Sequence, residues 1–289
     1  MTTDKERDER RHNDRPCGDR RRSACGIDSD LHTHTGFSDD CGVSMDEMLQ
    51  SAYGQGIKTL AVTDHYDPGY PDPEFPFTID FEKYQQALLA AKEQYAGKME
   101  IFTGLEVGIM EGQFKAANEI IDAFPYDLII GSFHCLRDLD LYTYNYTDVD
   151  GPAMLEDFYT YMYDCLKVFD NYDIIGHFSI LDRYIGKLYS YEPCEDVIHE
   201  ILKLMVHKGK GIEINTSSFK YGTDAWLPRE SILRRYRELG GELLTFGSDA
   251  HSPEHYRSHF DEAVELAKTL GYRYHCLFRQ RKPEFLPLP

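Results

Sequence analysis

The chain has 289 residues, 42% of them apolar, which is enough for one large α/β domain or two small domains. It contains no run of about 18 apolar residues, so the sequence predicts no membrane-spanning helix. Its net charge of −19 disfavours nucleic acid as a partner, because an acidic surface repels phosphate backbones, and favours a small cationic or zwitterionic substrate.

The N-terminal segment, residues 1–26, differs from the rest of the chain because it has almost no apolar side chains. Such a segment buries too little surface to offset the entropy lost on ordering, so we expect a disordered, charged tail. It also lacks the apolar stretch of a secretory signal. The seven cysteines form no C-x-x-C pair, and without a secretory context we expect reduced thiols in a cytoplasmic protein.

Seven segments from residue 27 onward are predicted to be strands. Several of them are continuous apolar runs, which are typical of strands buried on both faces of a sheet. The predicted strands are residues 27–32, 57–64, 99–106, 126–134, 172–178, 211–216 and 242–249.

Helices are predicted between these strands. One should start after Ser44, since Glu47 three residues later completes a capping box, and another should start after Asp80. The other helices are predicted to begin near Glu111, Pro152, Pro193, Pro228 and Pro253. Strand–helix units in series indicate a parallel sheet covered by helices, which fits either a closed barrel or an open doubly wound sheet.

Side chains that commonly bind metals stand at or just beyond the ends of six of the predicted strands, the exception being 211–216. The carboxyl ends of barrel strands open onto one face, whereas an open sheet spreads them along an edge, so this pattern favours a barrel. His32 and His34 are two residues apart, as are Asp249 and His251, and such pairs point to the same side of an extended chain. The strand-end set is His32, His34, Asp64, His65, Glu106, His134, His177, Asp249 and His251.

This set predicts a metal site. One histidine or aspartate at a strand end is usually an ordinary polar residue, but chance does not explain the same placement in six units. Imidazole and carboxylate ligands without cysteine suit Zn, Fe or Mn. A purely structural metal site is disfavoured, because such sites tend to be closed and rich in cysteine.

The motifs DLHTHTGFSDD, AVTDH, GLEVG, GSFH, GHF and GSDAH occur in this order. With them, residues 27–289 resemble the polymerase and histidinol phosphatase (PHP) superfamily of metal-dependent phosphoesterases. The segments IEINTSSFKYG and LFRQRKPEFLPL are similar to its histidinol phosphatase branch. The resemblance implies one domain over 27–289, folded as an α/β, distorted (βα)7 TIM-like barrel with its metal site at the carboxyl ends of the strands.

The resemblance also implies two to three divalent transition-metal ions (Zn, Fe or Mn). Many members have a histidine where this chain has Asp40, so we expect the third site to favour a harder metal such as Mn or Fe. The neighbouring Asp39 competes with Asp40 for that role. The implied ligands are His32, His34, Glu106 and Asp249 for the first ion, Glu106, His134 and His177 for the second, and Asp40, His65 and His251 for the third.

The expected activity is that of a phosphoric monoester hydrolase. The branch implies a histidinol-phosphatase of histidine biosynthesis, which converts L-histidinol phosphate and water to L-histidinol and phosphate. Glu106, Asp249 and His251 are the expected catalytic residues, with Glu106 bridging two ions. Phosphate esters also need cationic partners. The candidates are Arg183, Lys220 and Arg257.

Two other functions stay open. The same chemistry can act on another phosphate ester, such as a nucleotide, an oligonucleotide or phosphotyrosine. An amidohydrolase also has H-x-H on its first barrel strand. That class usually has eight units and lacks both the Asp64–His65 pair and the second histidine of the D-A-H motif, so it is the weaker alternative.

Overall fold

The computed structural model describes residues 26–223 and 225–289. The tail predicted for residues 1–26 therefore lies outside the described residues, apart from Gly26. The strands of the described part are β1 (Ser29–Asp30), β2 (Thr59–Val62), β3 (His65–Tyr66), β4 (Glu100–Gly108), β5 (Leu128–Ser132), β6 (Cys135–Leu136), β7 (Leu139–Asp140), β8 (Ile174–Ile175), β9 (Gly211–Asn215), β10 (Leu244–Gly247), β11 (Tyr274–Arg279) and β12 (Lys282–Pro287).

The helices lie between the strands, as the sequence predicts. In the described ranges they are α1 (Met45–Gly54), α2 (Phe81–Gln94), α3 (Phe114–Ala123), α4 (Gly151–Val168), α5 (Ile180–Ile185), α6 (Glu195–His207), α7 (Glu230–Glu238) and α8 (Phe260–Thr269). None of these helices is long and apolar enough to cross a membrane.

The predicted barrel is confirmed. Seven parallel strands pair in the order β1-β2-β4-β5-β8-β9-β10. A parallel bridge between Thr33 and Ala250 then joins the first and last strands, supported by the hydrogen bond from Leu31 N to Phe246 O at 3.1 Å. The result is a nearly closed, distorted barrel, in which β3 adds a short extension beside β4.

Three of the predicted helix starts show how local sequence fixes the elements around the barrel. Ser44 and Glu47 form the expected capping box at the start of α1. The Asp80 side chain accepts a hydrogen bond from Lys83 N and caps α2. Pro152 stands in the first turn of α4, where its missing N–H costs nothing.

A C-terminal hairpin, β11–β12, closes the amino-terminal end of the barrel and was not predicted. Arg281 N donates to Asp127 O at 2.9 Å, just before β5, and the Arg279 guanidinium pairs with Glu100 at the start of β4. The hairpin inserts Cys276, Leu277 and Phe278 beneath the apolar interior of the barrel. That interior is formed by Leu31, Ala61, Phe102, Leu128, Ile130 and Ile174. Because the hairpin seals this end, access to the interior lies at the carboxyl ends of the strands.

The hairpin's contribution to the stability of the protein can be measured by comparing variants on its buried and exposed faces. Phe278 is 2% exposed, whereas Phe285 on the paired strand is 44% exposed. We expect Phe278→Ala to lower the free energy of unfolding by about 3–5 kcal/mol, because it leaves a cavity under the barrel. Phe285→Ala should cost under about 1 kcal/mol. Denaturant unfolding of both variants checks this, and equal losses would show that the hairpin does not seal the barrel.

Candidate metal centre

The barrel brings the predicted ligands together at its carboxyl-terminal mouth, and Glu106 lies at their centre. Its strand β4 runs on to Gly108, so Glu106 lies inside the strand and not at its end as predicted. The Glu106 Oε2 atom lies 3.1 Å from His32 Nε2, 3.4 Å from His34 Nε2 and 3.0 Å from His65 Nδ1. One oxygen of this carboxylate therefore faces the histidines that follow β1 and β2.

The second oxygen of Glu106 faces a different pair of histidines. Glu106 Oε1 lies 2.8 Å from His177 Nε2 and 3.3 Å from His134 Nε2. His177 has a φ of 23°, which is unusual for a residue with a side chain, and the chain leaves β8 at this point. This turn brings the ring toward the barrel axis. The observed strand β8, Ile174–Ile175, is therefore shorter than the strand predicted for 172–178.

Asp249 completes the group on the first side. Its Oδ1 atom is 3.3 Å from His34 Nε2 and 3.8 Å from His32 Nε2. Asp249 also has a positive φ, 54°. Such conformations cost about 1–3 kcal/mol and cluster at functional sites.

The structure separates Asp40 from Asp39. Asp40 Oδ2 lies 3.2 Å from His251 Nε2 and 3.8 Å from His65 Nε2. The carboxylate of Asp39 instead accepts a hydrogen bond from Phe77 N at 2.7 Å. Of the two candidates, only Asp40 faces the histidines.

The chemistry of these side chains fits divalent metal ions. Several of their polar atoms are buried without a hydrogen-bond partner, which is costly unless another ligand satisfies them. Four sets of three residues place one potential ligand atom each within 4.8 Å of one another, and imidazole with carboxylate suits Zn, Fe or Mn. The unpartnered atoms include His32 Nε2, His34 Nε2, Asp40 Oδ1, His65 Nδ1, Glu106 Oε2 and His251 Nε2.

Metal binding requires deprotonated ligands, and the pKa shifts of Glu106 and His34 favour that state. Burial raises the pKa of Glu106, but the rings of His32, His65 and His134 outweigh it and hold that pKa well below its usual range. Burial lowers the pKa of His34 well below its usual value, and His251 acts in the same direction. At His32, His65 and His134 burial lowers the pKa, but the neighbouring carboxylates outweigh it and raise the pKa.

Three acidic side chains behind the histidines complete the site. Asp67 Oδ1 lies 2.6 Å from His134 Nδ1, and Asp64 accepts from Ser38 Oγ, which contacts His34 Nδ1 at 3.2 Å. The end of the predicted strand 211–216 carries Asn215 and Thr216, as the sequence indicates, whereas the acidic side chain inside this strand, Glu213, was not singled out from the sequence. Glu213 is buried in β9, two residues before Asn215, so it points to the same side of the strand.

A cavity of about 410 Å³ opens above the cluster and contains two of the three predicted cations. Arg183 lies in α5, a helix that the sequence did not predict, and it is stacked near the rings of Tyr184 and Tyr221. Its Nη2 atom donates to Asp249 Oδ2 at 3.2 Å, and Lys220 Nζ donates to the Asp249 carbonyl at 2.9 Å.

The third predicted cation is placed differently. Arg257 is not among the described residues that line the cavity, and its backbone N–H donates to Asp30 Oδ2 at 3.1 Å. A larger groove of about 770 Å³ lies at the opposite end of the barrel, beside Lys58 and Arg279, and none of the predicted ligands lines it.

The PHP domain family model matches residues 30–217. The chain belongs to the PHP domain family. It is 30% identical to the probable histidinol-phosphatase of Clostridium acetobutylicum, over 84% of this chain and 94% of that protein. It is 28% identical to the histidinol-phosphatase of Lactococcus lactis subsp. lactis, over 84% and 91% of the two chains.

A solved structure extends this PHP family likeness to three dimensions. The crystal structure of histidinol phosphate phosphatase from Lactococcus lactis subsp. lactis, complexed with zinc, L-histidinol and phosphate, superposes with a TM-score of 0.79. The two chains are 26% identical, and the match covers 89% of this chain and 98% of that one.

Matched variants of the two neighbouring aspartates test the third group of ligands. Asp40→Asn should remove roughly one metal equivalent per chain, because the amide lacks the charge that offsets a cation beside His65 and His251. Asp39→Asn should leave the metal content unchanged. Elemental analysis of both proteins, purified without chelators, checks this. A loss confined to Asp39→Asn would reverse the assignment.

Proposed function

We propose that this chain is a metal-dependent phosphatase that hydrolyses L-histidinol phosphate to L-histidinol and phosphate. The observation that carries the proposal is the buried Glu106 carboxylate, whose two oxygens face separate histidine groups at the mouth of a PHP barrel. Relatives named histidinol-phosphatase over nearly their whole length support the phosphatase activity and the substrate. We further propose that residues 27–289 act as one domain and that the enzyme serves histidine biosynthesis in the cytoplasm.

The cofactors are proposed to be two to three divalent ions. Zinc is supported by the solved relative, and Fe and Mn suit the same donors. The first ion would be held by His32, His34, Glu106 and Asp249, the second by Glu106, His134 and His177, and the third by Asp40, His65 and His251.

The chemistry of the bound ions would be to polarise the phosphate and to lower the pKa of water. Around them, Arg183 would bind the phosphate oxygens, because a guanidinium matches their geometry and its side chain is only 7% exposed. The Ser217 hydroxyl, 2.7 Å from Arg183 Nη2, fixes the direction of the guanidinium. Lys220 would add a second positive charge on the same side of the cavity.

Asp249 links the ligands to these cations. Its Oδ1 faces His34, while its Oδ2 accepts from Arg183 and from Ser217 Oγ at 3.0 Å. His251 Nδ1 lies 3.6 Å from Asp249 Oδ1, so these two of the three expected catalytic residues line the same wall of the cavity. Their shared position would keep the phosphate centred between the arginine and the ions.

Another part of the cavity lining suits the rest of the substrate. Asp140, on the β6–β7 hairpin, accepts a hydrogen bond from Tyr70 OH at 2.7 Å, and both residues line the cavity with Phe75 and Tyr142. A carboxylate among aromatic rings favours a cationic amine and a flat imidazole. It disfavours a polyphosphate or an oligonucleotide, which would bring further negative charge.

A panel of phosphate esters tests the substrate. We expect kcat/KM for L-histidinol phosphate to exceed that for nucleoside monophosphates, phosphotyrosine and short single-stranded DNA, because only the first carries both a cationic amine and an imidazole. Steady-state kinetics with each ester under one metal condition checks this. A different ester that wins by about tenfold, or 1.4 kcal/mol in transition-state binding, would overturn the substrate.

Glu106→Gln tests the proposed bridge. The variant keeps the shape of the side chain but removes the charge between two cations, so kcat should fall by at least about 10–100-fold and metal content should fall with it. Glu119→Gln, at an exposed glutamate of α3, is the matched control and should change neither quantity. Normal turnover and metal content in Glu106→Gln would show that Glu106 is not a bridging ligand.

A further inference from the structure

A buried glutamate lies beneath the proposed metal centre. Glu213 is 1% exposed and belongs to β9, a strand that contributes none of the proposed ligands. Its Oε1 atom is 2.8 Å from His32 Nδ1. Its Oε2 atom accepts from His177 N at 2.9 Å and from Asn215 Nδ2 at 3.0 Å. One carboxylate thus contacts two proposed ligands that are far apart in the chain.

The surrounding backbone leaves room for this carboxylate. A Cβ atom added at Gly247, on the neighbouring strand β10, would collide with Glu213 Oε1 and with the side chain of His32. A side chain at Gly247, the glycine of the GSDAH motif, would therefore displace Glu213 or His32. The motif and Glu213 form one packed unit.

We infer that Glu213 is a positioning residue that fixes the tautomer of His32 for metal binding, an inference that rests on the metal centre of the proposed function. A neutral imidazole has one N–H donor and one acceptor nitrogen, and an ionised carboxylate only accepts. Glu213 therefore holds the proton of His32 on Nδ1. The lone pair of Nε2 then points at Glu106 and Asp249, where the first ion would lie.

The charge of Glu213 serves the same purpose. Three divalent ions would bring more positive charge than the carboxylates of Asp40, Glu106 and Asp249 can balance. A fourth buried carboxylate in contact with His32 makes that ligand a stronger donor, as carboxylate–histidine pairs behind metals do. The hydrogen bond to His177 N also holds the turn that carries the second ion's ligand.

A glutamine at this position cannot replace the glutamate. Its amide has one acceptor oxygen, whereas Glu213 accepts from three donors on two sides. If the oxygen faces His177 and Asn215, the amide NH2 faces His32 Nδ1 and drives that ring to the tautomer with the proton on Nε2, so this nitrogen can no longer bind the metal ion. If the amide is reversed, the donors of His177 and Asn215 lose their acceptor.

The experiment compares zinc affinity in the wild-type protein, Glu213→Gln and Glu242→Gln. Glu242 is an exposed glutamate beside Arg237, so its variant removes the same charge away from the site. Each full-length protein is stripped with a chelator and titrated with zinc against a chromogenic chelator. We expect Glu213→Gln to weaken binding of one zinc ion by about 10–100-fold, and Glu242→Gln to leave it unchanged.

A spectroscopic measurement separates positioning from folding. In the ¹⁵N spectrum of the zinc-loaded wild-type protein, His32 should be protonated at Nδ1 and bound through Nε2. This measurement decides the inference even where Glu213→Gln fails to fold, and binding of zinc through His32 Nδ1 would overturn it. Equal zinc affinity of wild type and Glu213→Gln, with only a lower Tm, would overturn this inference alone. A wild-type protein that binds no zinc would overturn the proposed function as well.

Discussion

The Glu106 carboxylate, fully buried at the barrel mouth, is the feature on which the rest of the site depends. Removing an ion from water costs several kcal/mol, which only close partners of opposite charge and hydrogen bonds can offset. No single strand could supply them. The side chains that surround it are His32, His65, His134 and His177, which follow four different strands, so the carboxylate and the ions that these residues would hold with it come together only when the barrel is closed.

The closure of the barrel and the geometry of the site therefore depend on the same contacts. The first and last strands meet through few contacts, one of which is the bond from Asp249 N to His32 O at 2.9 Å. This bond joins the backbones of two residues that are both proposed ligands of the first metal ion. The hairpin β11–β12 stabilises the other end of the barrel, so the mouth can carry unusual backbone at His177 and Asp249.

Much of the site could be predicted from the sequence because its residues occupy one repeated position. Each strand of a parallel barrel delivers its carboxyl end to the same face, so His32 and Asp249 could be placed together although they are far apart in the chain. Glu213 could not be predicted in this way, because it lies inside a strand and its role depends on a contact with His32, 181 residues away in the chain. Arg257 was the third candidate for a phosphate-binding cation, and a loop position does not fix the direction of a side chain. The hairpin lies after the last repeat unit, where the alternation that predicted the barrel gives no guidance.

The most direct test is the anomalous diffraction of crystals of the metal-loaded protein, recorded at the absorption edge of the bound element. The account predicts one peak on each side of Glu106, the first beside His32, His34 and Asp249 and the second beside His134 and His177. A third peak is predicted beside Asp40, His65 and His251. Peaks that leave Glu106 without a bound ion, or fall outside this cluster, would contradict the account.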